Sequence, residues 1–432
     1  MVDLLITDTV LSKDGRQMDV GVSSGKIAFI SPSGEGISEA VHVVHAKGGL
    51  LLPGLVEPHI HLEKAYLLDV MDRDADSLQD AIQITAKLKS SFTDEDIYER
   101  SLAVIRQAVS NGVTHMRCHA EVDPILGLKA MESALHLKQT LRHQLDLQVV
   151  AFPQEGVFRS PGTEELMEEA LRMGADVVGG ITYQDECLED HLDFAFGLAE
   201  KYGKPLDFHT DFSDNPNDRA IADIARRTLI TGMQGQVSAG HVTSLGSLPE
   251  HEAMDIAELL HRAGISVITL PMTDLFLNGR GDAEGPRRGL APVKLLQECS
   301  VNVAIGVNNI RNAFTPFGKA DPLEVAWLLA VTSYMGGERD ALALIRMLTY
   351  NAAQALGIEN YGMKVGAPAD MVLFRERSER DVLLDKPETR MVWKSGVQVQ
   401  QYGSKAIEWL RKSQAMDIIG TRVKGMKLWR NS

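Results

Sequence analysis

The stretch GLLLPGLVEPHIHL, residues 49–62, is an almost continuous apolar run that ends in His-x-His. Runs that are apolar on both faces are typical of strands in a parallel sheet covered by helices. Seven further runs follow it: VTHMRCHAEV (113–122), DLQVVAFPQ (146–154), DVVGGIT (176–182), PLDFHTD (205–211), QVSAGHV (236–242), SVITLP (266–271) and VNVAIGVNN (301–309). Helical patterns such as TEELMEEALRMG (163–174) and HEAMDIAELLHRAG (251–264) lie between them. Eight such units over about 250 residues predict a (β/α)8 TIM barrel.

Short β-rich segments broken by Gly, Ser and Asp lie near both ends of the chain, for example at 19–31 and 390–400. We therefore expect a small β-sandwich domain built from residues 1–50 and 366–432. It would include a C-terminal helix in KAIEWLRKSQAMDII, residues 405–419. Residues 51–365 would form the barrel.

Composition excludes several classes of protein. The 432 residues carry a formal net charge of −15, which argues against nucleic-acid binding because a phosphate backbone needs a basic surface. Three scattered cysteines cannot form a disulfide framework, which favours a cytoplasmic location. No apolar run reaches the roughly 20 residues of a membrane helix, and the N-terminus lacks the basic region of a signal peptide.

Histidines end three of the predicted barrel strands. His59 and His61 are two residues apart, so on a strand they point to the same side. His209 and His241 end the fifth and sixth runs. Because the carboxyl ends of barrel strands meet at one face, these imidazoles predict a site for one divalent metal ion. The alternative is a set of hydrogen-bonded histidines that line a pocket.

Several segments resemble the amidohydrolase superfamily, in particular its cytosine deaminase branch, which also includes N-isopropylammelide isopropylaminohydrolase. They include EPHIHLEKAY (57–66), VVAFPQEGV (149–157), HVTSLGSLP (241–249) and FTPFGKADPLEVAWLL (314–329). The resemblance implies a metal-dependent hydrolase that cleaves a C–N bond of a small nitrogen heterocycle, by deamination or related amidohydrolysis. It implies one divalent ion, zinc or iron with manganese also possible, and makes a homo-oligomer plausible.

The resemblance also implies roles for particular residues. His59, His61 and His209 match the metal ligands. His241 matches a histidine that touches the metal or its water and moves protons, and Gln154 matches a glutamine that binds an amide edge of the ring.

Four further residues are assigned to substrate binding. Lys64 resembles the lysine of the isopropylaminohydrolase motif, although a surface salt bridge with Glu63 or Asp69 would explain it equally well. His119, Phe212 and Phe314 complete the predicted substrate-binding set.

Two positions depart from the cytosine deaminase pattern. Asn308 stands where that branch has a metal-binding aspartate, and an amide cannot act as a base. Phe212 stands where it has a proton-carrying glutamate, and would instead form an aromatic wall. Catalysis is therefore assigned to His241, Asn308 and Asp211, which shares the strand face of His209. Asp211 could instead orient a metal-binding histidine.

These departures leave two alternative functions open. One is a cyclic amide or N-alkylamine hydrolase of the same superfamily. The other is a degenerate barrel that binds a ligand without turnover.

Overall fold

A computed structural model describes residues 1–11, 15–36 and 39–399, and the C-terminal helix predicted at 405–419 lies outside them. The strands are β1 (Val2–Val10), β2 (Gln17–Ser23), β3 (Lys26–Pro32), β4 (Ala40–His45), β5 (Leu51–Pro53), β6 (Leu55–Ile60), β7 (Val113–Glu121), β8 (Asp146–Phe152), β9 (Val177–Ile181), β10 (Leu206–Thr210), β11 (Val237–His241), β12 (Ser266–Thr269), β13 (Asn302–Ile305), β14 (Met371–Leu373), β15 (Met391–Lys394) and β16 (Val397–Gln398).

The α-helices lie between and around these strands. They are α1 (Leu78–Lys89), α2 (Asp94–Ser110), α3 (Lys129–Thr140), α4 (Thr163–Met173), α5 (Leu188–Tyr202), α6 (Ala220–Thr231), α7 (Glu250–Ala263), α8 (Pro271–Leu277), α9 (Val293–Glu298), α10 (Pro322–Thr332), α11 (Glu338–Met347), α12 (Tyr350–Ala355) and α13 (Glu379–Asp385). In the described part of the chain, none of them has both the length and the apolar character that crossing a bilayer requires.

Strands β6 to β13 form the predicted barrel. They pair in sequence order in one parallel sheet of eight strands. An isolated bridge between Ile60 and Asn308 joins the two ends of the sheet. It is made by the His61 amide on the Asn308 carbonyl at 2.9 Å and by the Asn308 amide on the His59 carbonyl at 2.8 Å. The barrel therefore closes beside two of the predicted site histidines.

The run at 49–62 forms two strands rather than one. Its first part, β5, pairs antiparallel with β14 outside the barrel, and its second part, β6, enters the barrel. Gly54 separates them, and a Cβ atom there would lie 2.2 Å from Oγ1 of Thr114. Only glycine fits at this crossing, where the chain passes from the small sheet to the barrel.

The small domain has two sheets, as expected from the β-rich ends. One has the strand order β3-β2-β1-β4, and the other has the order β16-β15-β14-β5. Their buried side chains, among them Ile6, Val20, Met371 and Trp393, share one apolar cluster. N-terminal and C-terminal segments therefore build one sandwich beside the barrel, which confirms the predicted architecture.

Candidate active site

Three imidazole rings meet at the carboxyl end of the barrel. His59 lies in β6, His61 follows that strand directly, and His209 lies in β10. The Nε2 atoms of His59 and His61 are each 3.1 Å from Nε2 of His209. Gly240 in β11 makes room for the His59 ring, since a Cβ atom there would lie 2.8 Å from its Cε1. The structure thus brings together three of the four histidines that the sequence assigned to a metal, and the fourth, His241, has its ring centroid 5.4 Å from that of His209.

The chemistry of these nitrogens fits a divalent ion. Zinc binds imidazole nitrogen at about 2.0–2.1 Å, so two ligands of one tetrahedral ion lie roughly 3.4 Å apart. The observed 3.1 Å separations are close to that value. Burial, followed by repulsion from neighbouring cationic groups, lowers the pKa of all three rings well below its usual value. The rings are therefore neutral at pH 7, as metal ligands must be.

His119, at the end of β7, belongs to the same cluster. Its ring centroid is 4.0 Å from that of His59, and one of its ring nitrogens lies within 4.8 Å of a ring nitrogen on His59 and on His209. Its Nε2 is 3.1 Å from a carboxylate oxygen of Asp207, which Arg117 also contacts at 2.8 Å. His119 is thus held against the predicted metal ligands by a buried carboxylate.

His241 ends β11 and is paired with an acid. Its Nδ1 is 2.7 Å from Oδ1 of Asp274, which lies in the first turn of α8. Burial raises the pKa of Asp274, although the contact with His241 opposes this shift. Phe212 stacks on the His241 ring at 3.8 Å with an interplanar angle of 11°. The imidazole is therefore fixed on one edge by a carboxylate and on one face by an aromatic ring.

Asn308 lies at the closure of the barrel in a left-handed conformation, with φ 65°. Its side-chain oxygen accepts a hydrogen bond from Nδ2 of Asn309 at 2.9 Å. Asn312 then donates to Oδ1 of Asn309 at 2.8 Å and to the carbonyl of Lys64 at 3.0 Å. This chain of neutral amides occupies the part of the site where the resemblance implied a carboxylate.

Asp211 does not continue the geometry of β10. The strand ends at Thr210, and Asp211 has a φ of 51°, so the alternation that aligned it with His209 no longer applies. Its two carboxylate oxygens accept hydrogen bonds from the backbone amides of Ala220 at 2.9 Å and Ile221 at 3.0 Å. Burial raises the pKa of this carboxyl to about 6. The structure gives both oxygens of Asp211 partners at the start of α6.

Lys64 is buried among predicted substrate-binding residues. Its ammonium lies 2.6 Å from Oε1 of Glu121 and 2.8 Å from Oε1 of Gln154. It also lies 4.6 Å from the centre of the Phe314 ring. Its acidic partner is thus Glu121, rather than either residue of the surface salt bridge considered from the sequence.

A second buried lysine, Lys89, lies beside this group. Its ammonium contacts one oxygen each of Glu121 at 2.7 Å, Asp123 at 2.9 Å and Glu155 at 2.7 Å. Burial alone would lower the pKa of Lys89, but the three carboxylates outweigh it and raise this pKa. For Glu121, Lys64 and Lys89 outweigh burial and lower the pKa to about 2. Lys89 and Glu121 are therefore charged at neutral pH.

Asp207, Asp274 and Lys89 belong to the site although no role for them was predicted from the sequence. Asp207 could have been found, because it precedes His209 by two residues on the same strand and so shares its face. Asp274 lies a few residues after the seventh run, but its contact with His241 depends on the turn of α8. Nothing in the sequence near Lys89 indicates that it meets three acids that lie at or after the ends of two barrel strands.

Comparison with known proteins bears on this site. Residues 79–400 match the family model described as Amidohydrolase family. The chain belongs to this family. The resemblance drawn from the sequence is therefore confirmed, and the protein is a hydrolase that acts on carbon–nitrogen bonds.

Individual members of the family are similar over most of their length. N-isopropylammelide isopropyl amidohydrolase of Pseudomonas sp. (strain ADP) is 28% identical over 411 residues, which cover 91% of this chain and 96% of that protein. Pterin deaminase of Rhizobium rhizogenes is 26% identical over 382 residues, covering 88% and 86%. The crystal structure of 5-methylcytosine deaminase from Klebsiella pneumoniae superimposes with a TM-score of 0.87 at 30% identity, covering 92% and 98%.

Proposed function

We propose that the protein hydrolyses an exocyclic carbon–nitrogen bond of a small, flat, nitrogen-rich ring, in the manner of a cytosine deaminase. One divalent ion, zinc, iron or manganese, would be held by His59, His61 and His209. The observation that carries the proposal is the convergence of three neutral imidazoles beside the His241–Asp274 pair. When bound, such an ion supplies a Lewis acid that makes a water molecule nucleophilic at neutral pH.

His241 handles the protons in this proposal. Asp274 accepts the hydrogen bond from Nδ1, which leaves the other ring nitrogen available as the base. His241 takes a proton from the attacking water as the oxygen–carbon bond forms. It returns that proton to the leaving nitrogen as the carbon–nitrogen bond breaks, so that ammonia or an alkylamine departs and the ring keeps an oxygen. Asn308 contributes an amide oxygen and no negative charge.

The substrate is recognised by polar edges and aromatic faces. Lys64 and Gln154 lie together and would bind carbonyl and amide edges of the ring. Phe314 and Phe212 would contact its faces. Because Phe212 offers no proton, the substrates favoured are those whose leaving nitrogen takes its proton from His241. The names of the similar proteins, which refer to ammelide, pterin and 5-methylcytosine, support a substrate of this shape.

The test is a screen of purified protein loaded separately with zinc, iron and manganese. The panel contains pyrimidines, triazines with amino and alkylamino groups, and pterins, and the products are analysed for ammonia and alkylamines. We expect about one tightly bound metal per chain and turnover of at least one ring with release of an amine. Tight metal binding without an amine product from any ring of the panel would contradict the proposal.

A second candidate is a barrel that binds a heterocycle without turnover. It is favoured by one observation, the neutral Asn308 and apolar Phe212 at positions where the resemblance implied acids. Under this alternative, a ring from the panel would raise the melting temperature of the protein without yielding product. A cyclic amide hydrolase, in contrast, would open the ring without releasing an amine.

A further inference from the structure

The candidate site is closed from solvent. His59, His61, His209 and His241 are at most 3% exposed, and Lys64 is 1% exposed. A planar ring cannot reach these side chains through packed protein. Part of the structure must therefore move before a substrate binds.

Helix α1 and the residues before it cover the barrel mouth. Ala75, Ala81 and Ile82 pack in one apolar cluster with Phe212 and Phe314, which lie on the loops after β10 and β13. The cluster thus joins the α1 segment to two loops that carry predicted substrate-binding residues.

Both ends of this segment are anchored, whereas its middle is held by few bonds to the barrel. On one side, the amides of Tyr66 and Leu67 bond the carbonyls of Ile310 and Arg311 at 3.0 and 2.9 Å. On the other side, Thr93 begins α2 with a capping box. Residues 69–91 lie between these anchors and can move without breaking a barrel strand.

Charge holds the end of α1 on the barrel. Lys89 is the last residue of the helix, and its three carboxylate partners come from the ends of β7 and β8 and the residues that follow them. Glu121 is shared, since its other oxygen contacts Lys64. Removing one partner of a buried ion pair leaves an uncompensated charge in the interior, which is strongly destabilising. The contacts between Lys89 and the three carboxylates therefore stabilise the closed position of α1.

We propose that residues 69–91, with α1 at their centre, form the lid through which substrate reaches Lys64 and Gln154, and that Lys89 is the positioning residue that holds this lid shut. In the open state, water solvates the three carboxylates and the Lys89 ammonium. In the closed state, Lys89 and Lys64 share Glu121, and the apolar cluster that contains Phe212 and Phe314 covers the site. The lid proposal rests on the proposed function only for the identity of the substrate that enters the site.

Amide hydrogen exchange of the full-length protein tests the lid without metal or turnover. In Lys89→Met, we expect the α1 amides at 78–89 to exchange about tenfold faster or more, with α2 unchanged. The matched control is Lys87→Met, which removes an exposed lysine of the same helix whose partner is Asp72. The lid proposal is wrong if the amides of α1 exchange no faster than those of α2 in both the wild type and Lys89→Met.

Access to the histidines provides a second measurement. From zinc-loaded protein, a small chelator should extract zinc about tenfold faster or more in Lys89→Met than in Lys87→Met. Glu155→Gln removes one partly exposed partner of Lys89 and should give a smaller increase in the same direction, even if Lys89→Met folds poorly. Equal extraction rates in Glu155→Gln, Lys87→Met and the wild type would overturn the role of the Lys89 contacts.

Kinetics separates a lid from general loss of folding. For any ring that the protein hydrolyses, Lys89→Met should raise KM more than it lowers kcat, because closure stabilises bound substrate. A merely structural loss would lower kcat with KM unchanged, and that result would count against the lid. If no ring is hydrolysed, the proposed function fails while the exchange result still decides the lid.

Discussion

At the scale of single residues, the proposed proton carrier is a histidine that is oriented by an acid. His241 has one nitrogen committed to Asp274, and Phe212 covers one face of its ring. A carboxylate that orients an imidazole fixes its tautomer and stabilises its protonated form. In the proposed reaction, His241 moves the proton and Asp274 positions the imidazole that carries it.

Substitution of this pair should separate the two roles. His241→Gln removes the proton carrier, and we expect kcat to fall by about 10²–10⁴. Asp274→Asn keeps the shape but misaligns the imidazole, and we expect a fall of about 10–100-fold. Both are measured as steady-state kcat at equal metal content. A His241→Gln variant that retained most of its kcat would show that another group carries the proton.

Asn308→Asp should move the site toward that of a cytosine deaminase. The two side chains have the same shape, and the carboxylate adds negative charge next to the histidines. We expect tighter zinc binding, by about tenfold or more, and new or increased deamination of cytosine. Zinc affinity is measured by competition with a chelator, and deamination by ammonia release. If zinc stays bound and neither quantity changes, proton handling does not involve position 308.

The sequence could predict those site residues that lie together on one strand or at the end of a strand. It could predict few of the others. His59, His61 and His209 follow from strand alternation and from the position of strand ends in a barrel. The partners Asp274 and Lys89 lie on helices whose placement depends on packing. A pattern along the chain therefore does not indicate which ionised groups they meet.

At the scale of secondary-structure elements, Asp211 interacts with the start of α6 and does not extend β10. Its carboxylate accepts the amides of Ala220 and Ile221, two of the groups that a helix start leaves without partners. It therefore connects the end of the strand that carries His209 to the helix that follows. We accordingly interpret Asp211 as a positioning residue.

Asp211→Asn tests that interpretation. The amide retains one acceptor oxygen, so one of the two backbone amides loses its partner, and we expect the free energy of unfolding to fall by about 1 kcal/mol. We expect kcat to change by less than about tenfold. Urea unfolding and steady-state kinetics measure the two quantities. A loss of kcat far above tenfold at unchanged stability would restore Asp211 as a proton carrier.

Elements with strong periodicity could be predicted, and elements that depend on contacts could not. The pattern at 251–264 corresponds to α7, and the pattern at 163–174 corresponds to α4. The run at 49–62 has the pattern of one strand and forms two, because apolar residues look alike in a barrel and in a small sheet. The helix α1 was not predicted, although it covers the site.

At the scale of the whole molecule, a partly buried ionic cluster joins the barrel to the small domain. Lys394 in β15 lies 2.6 Å from one oxygen each of Asp146, at the start of β8, and Asp370. His115 in β7 lies 3.3 Å from Asp146. These charges connect the amino-terminal end of the barrel to the sheet that contains β14 and β15.

Asp146→Asn should lower stability in a pH-dependent way. Burial raises the pKa of Asp146, but the contacts with His115 and Lys394 outweigh it and lower this pKa to about 2. Since the folded pKa lies below the unfolded value, the stabilisation is present above about pH 4 and is lost as the pH falls toward 2. Because Asp146 is 59% exposed, we expect a loss of only about 1 kcal/mol at pH 7.

Denaturant unfolding at pH 7 and at successively lower pH measures this difference. Asp255→Asn, which alters an exposed carboxylate on α7, is the control. A difference between Asp146→Asn and the wild type that grew as the pH fell would contradict the sign of the shift.

The overall architecture could be predicted more fully than the site. Eight apolar runs and β-rich ends define a barrel and a sandwich, because those patterns reflect which surfaces must be buried. The route between the two domains at Gly54 and the ionic cluster at Lys394 involve residues far apart in sequence. Such contacts are set by the assembled fold and leave no local pattern.

The seam between β6 and β13 has a consequence for how freely this scaffold can change its chemistry. The main-chain bonds at the seam hold residue 308 in a left-handed conformation that asparagine and aspartate both tolerate, so an amide and an acid of equal size are interchangeable there without rebuilding the cylinder. Position 308 can therefore carry either functional group on the same backbone. Redesign of the reaction can therefore begin with a single codon.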